Sequence, residues 1–170
     1  MATARVLPNR WIAEKIAPTR RPSTADSYRR LVRTHITPNI GHIQLAKLTP
    51  QDVERVIARM REQGKAPRMQ QYMRAVLRAA LNQALKWGLV ARNVVTLTDS
   101  PQVERYVTHP LTRAQAQTLL DAARGDRYEA LYAVALWLGL RRGEVLGLRW
   151  EDVDLDTRIL HVARLPGIRR

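Results

Sequence analysis

The chain has 170 residues, 29 of them Lys or Arg against 15 Asp or Glu, a net charge of +14, with 45% apolar residues. That apolar fraction is enough for a packed core and excludes a disordered basic tail, while the charge points to a polyanionic partner, nucleic acid first. The lack of cysteine excludes disulfides and thiolate zinc ligands, and the longest apolar stretch, residues 130–140, is far short of the roughly 20 residues a membrane helix needs.

The charge is unevenly placed. Residues 1–95 hold 18 Lys and Arg against 5 Asp and Glu, a balance of +13, whereas residues 96–170 hold 11 against 10, a balance of +1. Any grip on phosphates therefore belongs mainly to the first half. Residues 1–10 contain Arg and Pro but no apolar signal segment, so neither export nor a membrane is indicated and a cytoplasmic location is expected.

In chain order, residues 9–16 suit a short helix with Trp11 and Ile12 as its apolar contacts, broken by Pro18 and Pro22. Ser23 with Asp26 resembles a variant capping box, and Tyr28, Leu31, Val32 and His35 keep helical spacing. These predict a helix over about 24–36 that ends before Pro38. Thr49-Pro50-Gln51-Asp52 combines a capping Thr, a Pro suited to the first helical position and an acid for the helix's positive end. Val53, Val56, Ile57 and Met60 form its buried stripe, and Gly64 closes it.

A longer helix over about 67–87 carries Met69, Tyr72, Met73, Val76, Leu77, Ala80, Ala84 and Leu85 on one broad face, with Arg68, Arg74, Arg78 and Lys86 around the rest. The Met and Leu positions read as bundle core, with no cofactor box. Residues 94–110 lack helical periodicity and include two prolines, so the chain divides near residue 100.

Beyond that point, Thr112 and Gln115 make a capping box for a helix stopped by Gly125. The helix from Tyr128 to Leu138 is apolar over most of its surface and is expected to be buried. A turn at 139–142 leads into one short helix through Leu148, Trp150 is expected to pack, and Asp152 and Asp154 resemble a turn. Residues 157–162 alternate weakly and suit a strand with no recognisable partner, which would leave an exposed edge.

The order of several short motifs resembles the tyrosine recombinases, the phage-integrase family. These are Tyr28, His35-Ile36-Thr37-Pro38-Asn39-Ile40-Gly41, Leu48-Thr49-Pro50, Lys86-Trp87-Gly88-Leu89, and the box Gly139-Leu140-Arg141-Arg142-Gly143-Glu144 followed by Trp150-Glu151-Asp152. Asn93-Val94-Val95 departs from the family's usual Asn-Pro. The resemblance implies a mainly α fold: a helical SAM-like core-binding bundle over 1–95, a linker over 96–110, and over 111–170 the first helices and first strand of an incomplete α+β recombinase catalytic domain.

It also implies phosphoryl transfer on double-stranded DNA by a tyrosine nucleophile, with no metal or cofactor. Guanidinium groups suit the negative charge that builds on the nonbridging oxygens. The arginine directly after Gly-x in the family is Arg141, which selects it over Arg142. Glu144, one helical turn on, either supports Arg141 or is simply a favourable acid in a helix's first turn. The candidates for DNA phosphates are Arg29, Arg33, Arg68, Arg74 and Arg78; His35 is expected to pack rather than contact DNA.

The family's later Lys, His-x-x-Arg box and nucleophilic Tyr do not follow Arg141, and Tyr28, Tyr72, Tyr106, Tyr128 and Tyr132 all precede it, so none is nominated as nucleophile. On this reading the chain is an integrase fragment that binds DNA without cutting it alone. Homo-oligomers on DNA are expected only where the later C-terminal region is present. The alternatives are a non-catalytic DNA-binding module, such as a prophage remnant competing for integrase sites, and a helical protein-interaction module.

Overall fold

The computed structural model describes residues 3–104 and 107–162. It forms two compact units, Met1–Arg105 and Tyr106–Arg170.

The first unit is helical. α1 (Val6–Trp11) runs into a widened turn at Ile12–Ile16, and α2 (Pro22–Leu31) does the same at Val32–Ile36 before α3 (Thr37–Ile40). α4 (Pro50–Glu62) and the long α5 (Pro67–Lys86) complete the bundle. Leu7, Ile12, Ile36, Val53, Val56, Met60, Met73, Leu77 and Leu81 are at most 2% exposed and form its centre. The segment ahead of α1 is tied in place where the Ala4 N–H donates to the Ile43 carbonyl (2.9 Å).

α4 starts as its sequence predicts. Thr49 and Asp52 make a complete capping box, and Asp52, itself buried, also pairs with Arg55. Burial alone would raise the Asp52 pKa, but the Thr49 backbone and hydroxyl donors and the Arg55 guanidinium outweigh it and hold the carboxyl below its ordinary range.

α2 departs from expectation at both ends. It begins at Pro22, with Arg21 at the cap position and no side-chain cap, while Asp26 pairs with Arg29 (2.8 Å) instead of closing a box. Pro favours the first helical turn, where its missing N–H is not needed, so the start moves one residue ahead of Ser23. Nor does the chain leave helical geometry before Pro38. The Thr37 N–H reaches back to the Val32 carbonyl, and Pro38 falls in the first turn of α3, where it is tolerated.

The buried stripe of α5 is narrower than its apolar residues suggest. Met73, Val76, Leu77, Ala80, Leu81 and Ala84 are buried, whereas Met69, Tyr72 and Leu85 stay more than a third exposed. Tyr72 lies against Tyr28, whose ring stacks on Trp11 at 5.5 Å between centroids.

Residues 93–101 belong to this unit and run back along α5. The Asn93 amide donates to the Arg78 carbonyl (2.9 Å) and to Asn82 Oδ1 (2.7 Å), Arg74 holds Val95 and Thr98, and the Gln71 amide donates to the Pro101 carbonyl (2.8 Å). Val94 and Val95, ahead of the expected linker, are buried in the core.

The second unit contains α6 (Arg113–Ala122), α7 (Glu129–Leu138), α8 (Arg142–Val145) and a two-stranded antiparallel hairpin, β1 (Val153–Asp154) with β2 (Ile159–Leu160). Thr112 and Gln115 cap α6 as expected. Three expectations are corrected here. The strand near 157–162 does have a partner: Val153 faces Leu160 and Asp154 faces Ile159. Asp154 shapes the tight turn between them, its Oδ1 accepting the N–H groups of Asp156 and Thr157 (both 3.0 Å).

α7 is not buried among the described residues, since Trp137 is 74% and Leu138 53% exposed. A helix apolar on every side needs neighbours on every side, and here its helical neighbours are α6 and α8. Trp150 does not pack either; it sits in the short turn before β1 with 85% of its surface exposed. Residues 163–170 lie outside the described region, as do Arg105 and Tyr106.

Candidate nucleic-acid interface and arginine box

The first candidate surface is a groove of about 540 Å³ on the first unit. Four arginines line it: Arg29, Arg30 and Arg33 from α2 and the turn after it, and Arg5 from the segment before α1. Asp26 is the one acid on its wall, and Asn9 and Thr37 add neutral hydrogen-bonding side chains. The spacing is helical. At about 100° per residue, positions 29, 30 and 33 share one flank of a helix, so their guanidinium groups converge on one strip of surface. Arg29 is ion-paired with Asp26, while the Arg5, Arg30 and Arg33 side chains carry no protein partner among the described residues. Three such cations beside a paired one form a concave positive surface that suits successive phosphates.

Of the five sequence-predicted DNA contacts, this groove unites Arg29 and Arg33. Arg68, Arg74 and Arg78 do not line it. Arg68 is exposed at the start of α5 with Nη1 near Gln71 (3.4 Å), and Arg78 is exposed further along. Arg74 is turned inward: its Nε donates to Thr98 Oγ1 (3.0 Å) and its Nη2 to the carbonyls of Val95 (3.0 Å) and Thr98 (2.5 Å). Sequence reading missed Arg5 and Arg30. Arg30 was legible in principle, one residue from Arg29 and three from Arg33. Arg5 reaches the groove through the Ala4–Ile43 tie, a long-range contact no local pattern announces.

His35 is buried, and burial, followed by repulsion from Lys65, lowers its pKa. It serves packing, and its carbonyl accepts the Asn39 amide (2.7 Å).

The second candidate site, in the other unit, is built on Gly139. Its φ of 63° ends α7 in the left-handed region, which a side chain rarely adopts, and turns the chain so that Arg141 becomes the cap residue of α8. Glu144 reaches back across that first turn. Its Oε2 accepts the Arg141 backbone N–H (2.8 Å) and its Oε1 accepts Arg141 Nη1 (3.0 Å). These bonds, the backbone one first, hold the Glu144 carboxyl below its ordinary pKa. The Arg141 side chain remains 87% exposed, so its other donors face solvent. Arg142, its rival, is exposed at the first helical position with no comparable carboxylate partner. Among the described residues no cluster of His, Asp or Glu is arranged to hold a metal ion, and no helix is long and apolar enough to cross a membrane.

Residues 6–61, from α1 through most of α4, match the family model described as phage integrase, N-terminal SAM-like domain. An integrase of Saccharopolyspora erythraea is 32% identical over 161 residues, covering 91% of this chain and 37% of that protein. A XerC-like tyrosine recombinase of Caldanaerobacter subterraneus is 25% identical over 163 residues, covering 91% of this chain and 41% of that protein. The chain belongs to the phage integrase family of tyrosine recombinases. It spans about two-fifths of the length of these curated relatives. An integrase of the transposon Tn1549, solved in complex with circular intermediate DNA, shares the fold with a TM-score of 0.81 at 23% identity, covering 97% of this chain and 55% of that one. The helical arrangement of a phage integrase is thus present, and the arginine box stands in an integrase-like second unit.

Proposed function

We propose that this chain is the duplex-gripping part of an integrase, holding DNA phosphates in the α2 groove and presenting Arg141 as the first guanidinium of a phosphoryl-transfer site. The observation that carries the reading is the convergence of Arg5, Arg29, Arg30 and Arg33 on one groove of a unit whose sequence balance over residues 1–95 is +13. Phosphate contacts dominate the affinity of such a surface and release counterions as they form. The DNA carried by the Tn1549 integrase complex supports the same partner.

In the second unit, Glu144 fixes one edge of the Arg141 guanidinium and its backbone, leaving Nε and Nη2 to meet the nonbridging oxygens of a phosphodiester. A guanidinium stays charged at any working pH, and holding it in place before reaction avoids reorganisation as negative charge builds. Glu144 acts as a positioning residue.

The test is a salt titration of the 170-residue chain on a labelled duplex, followed by fluorescence anisotropy. With three or four phosphates engaged, log K falls against log salt with a slope of roughly −3 to −4. Binding that is absent at low salt, or that is insensitive to salt, contradicts the reading.

A further inference from the structure

We propose that Arg74 is a positioning residue for the connection between the two units, a rivet that sets where the chain leaves the first unit. The contacts of residues 93–101 with α5 run in opposite directions along the two segments. Asn93 meets Arg78 and Asn82, Val95 and Thr98 meet Arg74, and Pro101 meets Gln71. The chain that left α5 at Lys86 is therefore carried back to Gln71, fifteen residues down the helix (86 − 71), or about 22 Å at 1.5 Å per residue.

Arg74 is the middle fastening and donates three of the hydrogen bonds. It satisfies the Val95 and Thr98 carbonyls and the Thr98 hydroxyl, in residues that are at most 5% exposed. Without it the Thr98 carbonyl would lose its partner, a penalty that favours release of that residue into water, whereas the Val95 carbonyl would keep the Thr98 N–H (3.3 Å) and hydroxyl (2.9 Å). A guanidinium fork can serve three acceptors in fixed directions, which a lysine ammonium on its flexible stem does not reproduce.

The consequence is the length of the tether. With the segment fastened, the connection to the Thr112 cap of α6 is residues 102–111, ten residues. Ten residues reach at most about 35 Å, whereas release back to the buried Val95, which the Asn93 bonds to α5 still hold in place, frees residues 96–111, which reach about 56 Å. Arg74 therefore sets how much of the chain between the two units is fastened to α5. It does so independently of any DNA contact.

The chain has no cysteine, so a spin-label pair can be placed cleanly at Met69→Cys and Gln102→Cys, both exposed positions. Pulsed electron paramagnetic resonance on the full chain should give one short, narrow distance distribution with Arg74 present. Arg74→Met and Arg74→Lys should both give a longer, broad distribution while circular dichroism keeps its helical signal. Should Arg74→Met fail to fold, Arg74→Lys decides alone. A distribution unchanged in Arg74→Lys overturns the rivet. So does a loss of about one unit of DNA salt slope in Arg74→Met that Lys restores, since that is the signature of a phosphate contact. Absence of DNA binding by the parent chain would count against the proposed function and leave the distance measurement valid.

Discussion

Gly41 shows how a single position carries a motif. Its φ is an ordinary helical −57°, so the glycine is not there for backbone freedom. A β-carbon at that point would collide with the Thr37 carbonyl, the same carbonyl that accepts the Gly41 N–H (3.0 Å). The last residue of the His-Ile-Thr-Pro-Asn-Ile-Gly motif is thus fixed by close approach. Gly41→Ala should destabilise the chain by about 1–3 kcal/mol, the usual range for forced overpacking, seen as a lower urea midpoint with unchanged slope. An unaltered midpoint would show that α3 can shift to make room. Asp52 gives a pH dependence of definite sign. Its folded pKa lies below the ordinary 3.8, so its contribution to stability is present at neutral pH and is lost as the pH falls below that value. Asp52→Asn should lower the neutral stability and flatten the acid limb of the stability curve; an acid limb identical to the parent's would assign the loss to other carboxylates.

At the scale of elements, legibility followed locality. The Thr49–Asp52 and Thr112–Gln115 boxes were readable because every group involved lies within four consecutive residues. The start of α2 was misread because Ser23 competes with Pro22 for the first turn and both satisfy local rules. The strand near 159 appeared partnerless because its partner is two residues long and sits inside an acidic turn. The arginine box was legible as a motif, yet the grip of Glu144 on both the backbone and the guanidinium of Arg141 is geometry. Glu144→Gln should loosen that grip, and nitrogen-15 spectra of the Arg141 side chain should move toward those of a free arginine. Lowering the pH of the parent through the depressed Glu144 pKa should reproduce the change; an Arg141 signal indifferent to both would remove Glu144 from its positioning role.

On the scale of the whole molecule, the +14 net charge announced a polyanion without saying which arginines meet it. Sequence spacing placed three of its five candidates on α5; folding leaves Arg68 and Arg78 exposed there, engages Arg74 with the segment 93–101, and gathers Arg5, Arg29, Arg30 and Arg33 along the α2 groove. Arg55 and Arg59 on α4 provide the comparison, since they are as basic but are engaged by Asp52 and Asn39 at a different cleft. The most direct measurement compares the salt dependence of duplex binding by the parent chain, by Arg30→Ala/Arg33→Ala and by Arg55→Ala/Arg59→Ala. If the α2 groove holds the phosphates, the first pair reduces the magnitude of the slope by up to about 1.8, at roughly 0.9 per phosphate contact, while the second leaves it unchanged. Equal slopes for the parent and the α2 variant, with loss in the α4 variant, would contradict it.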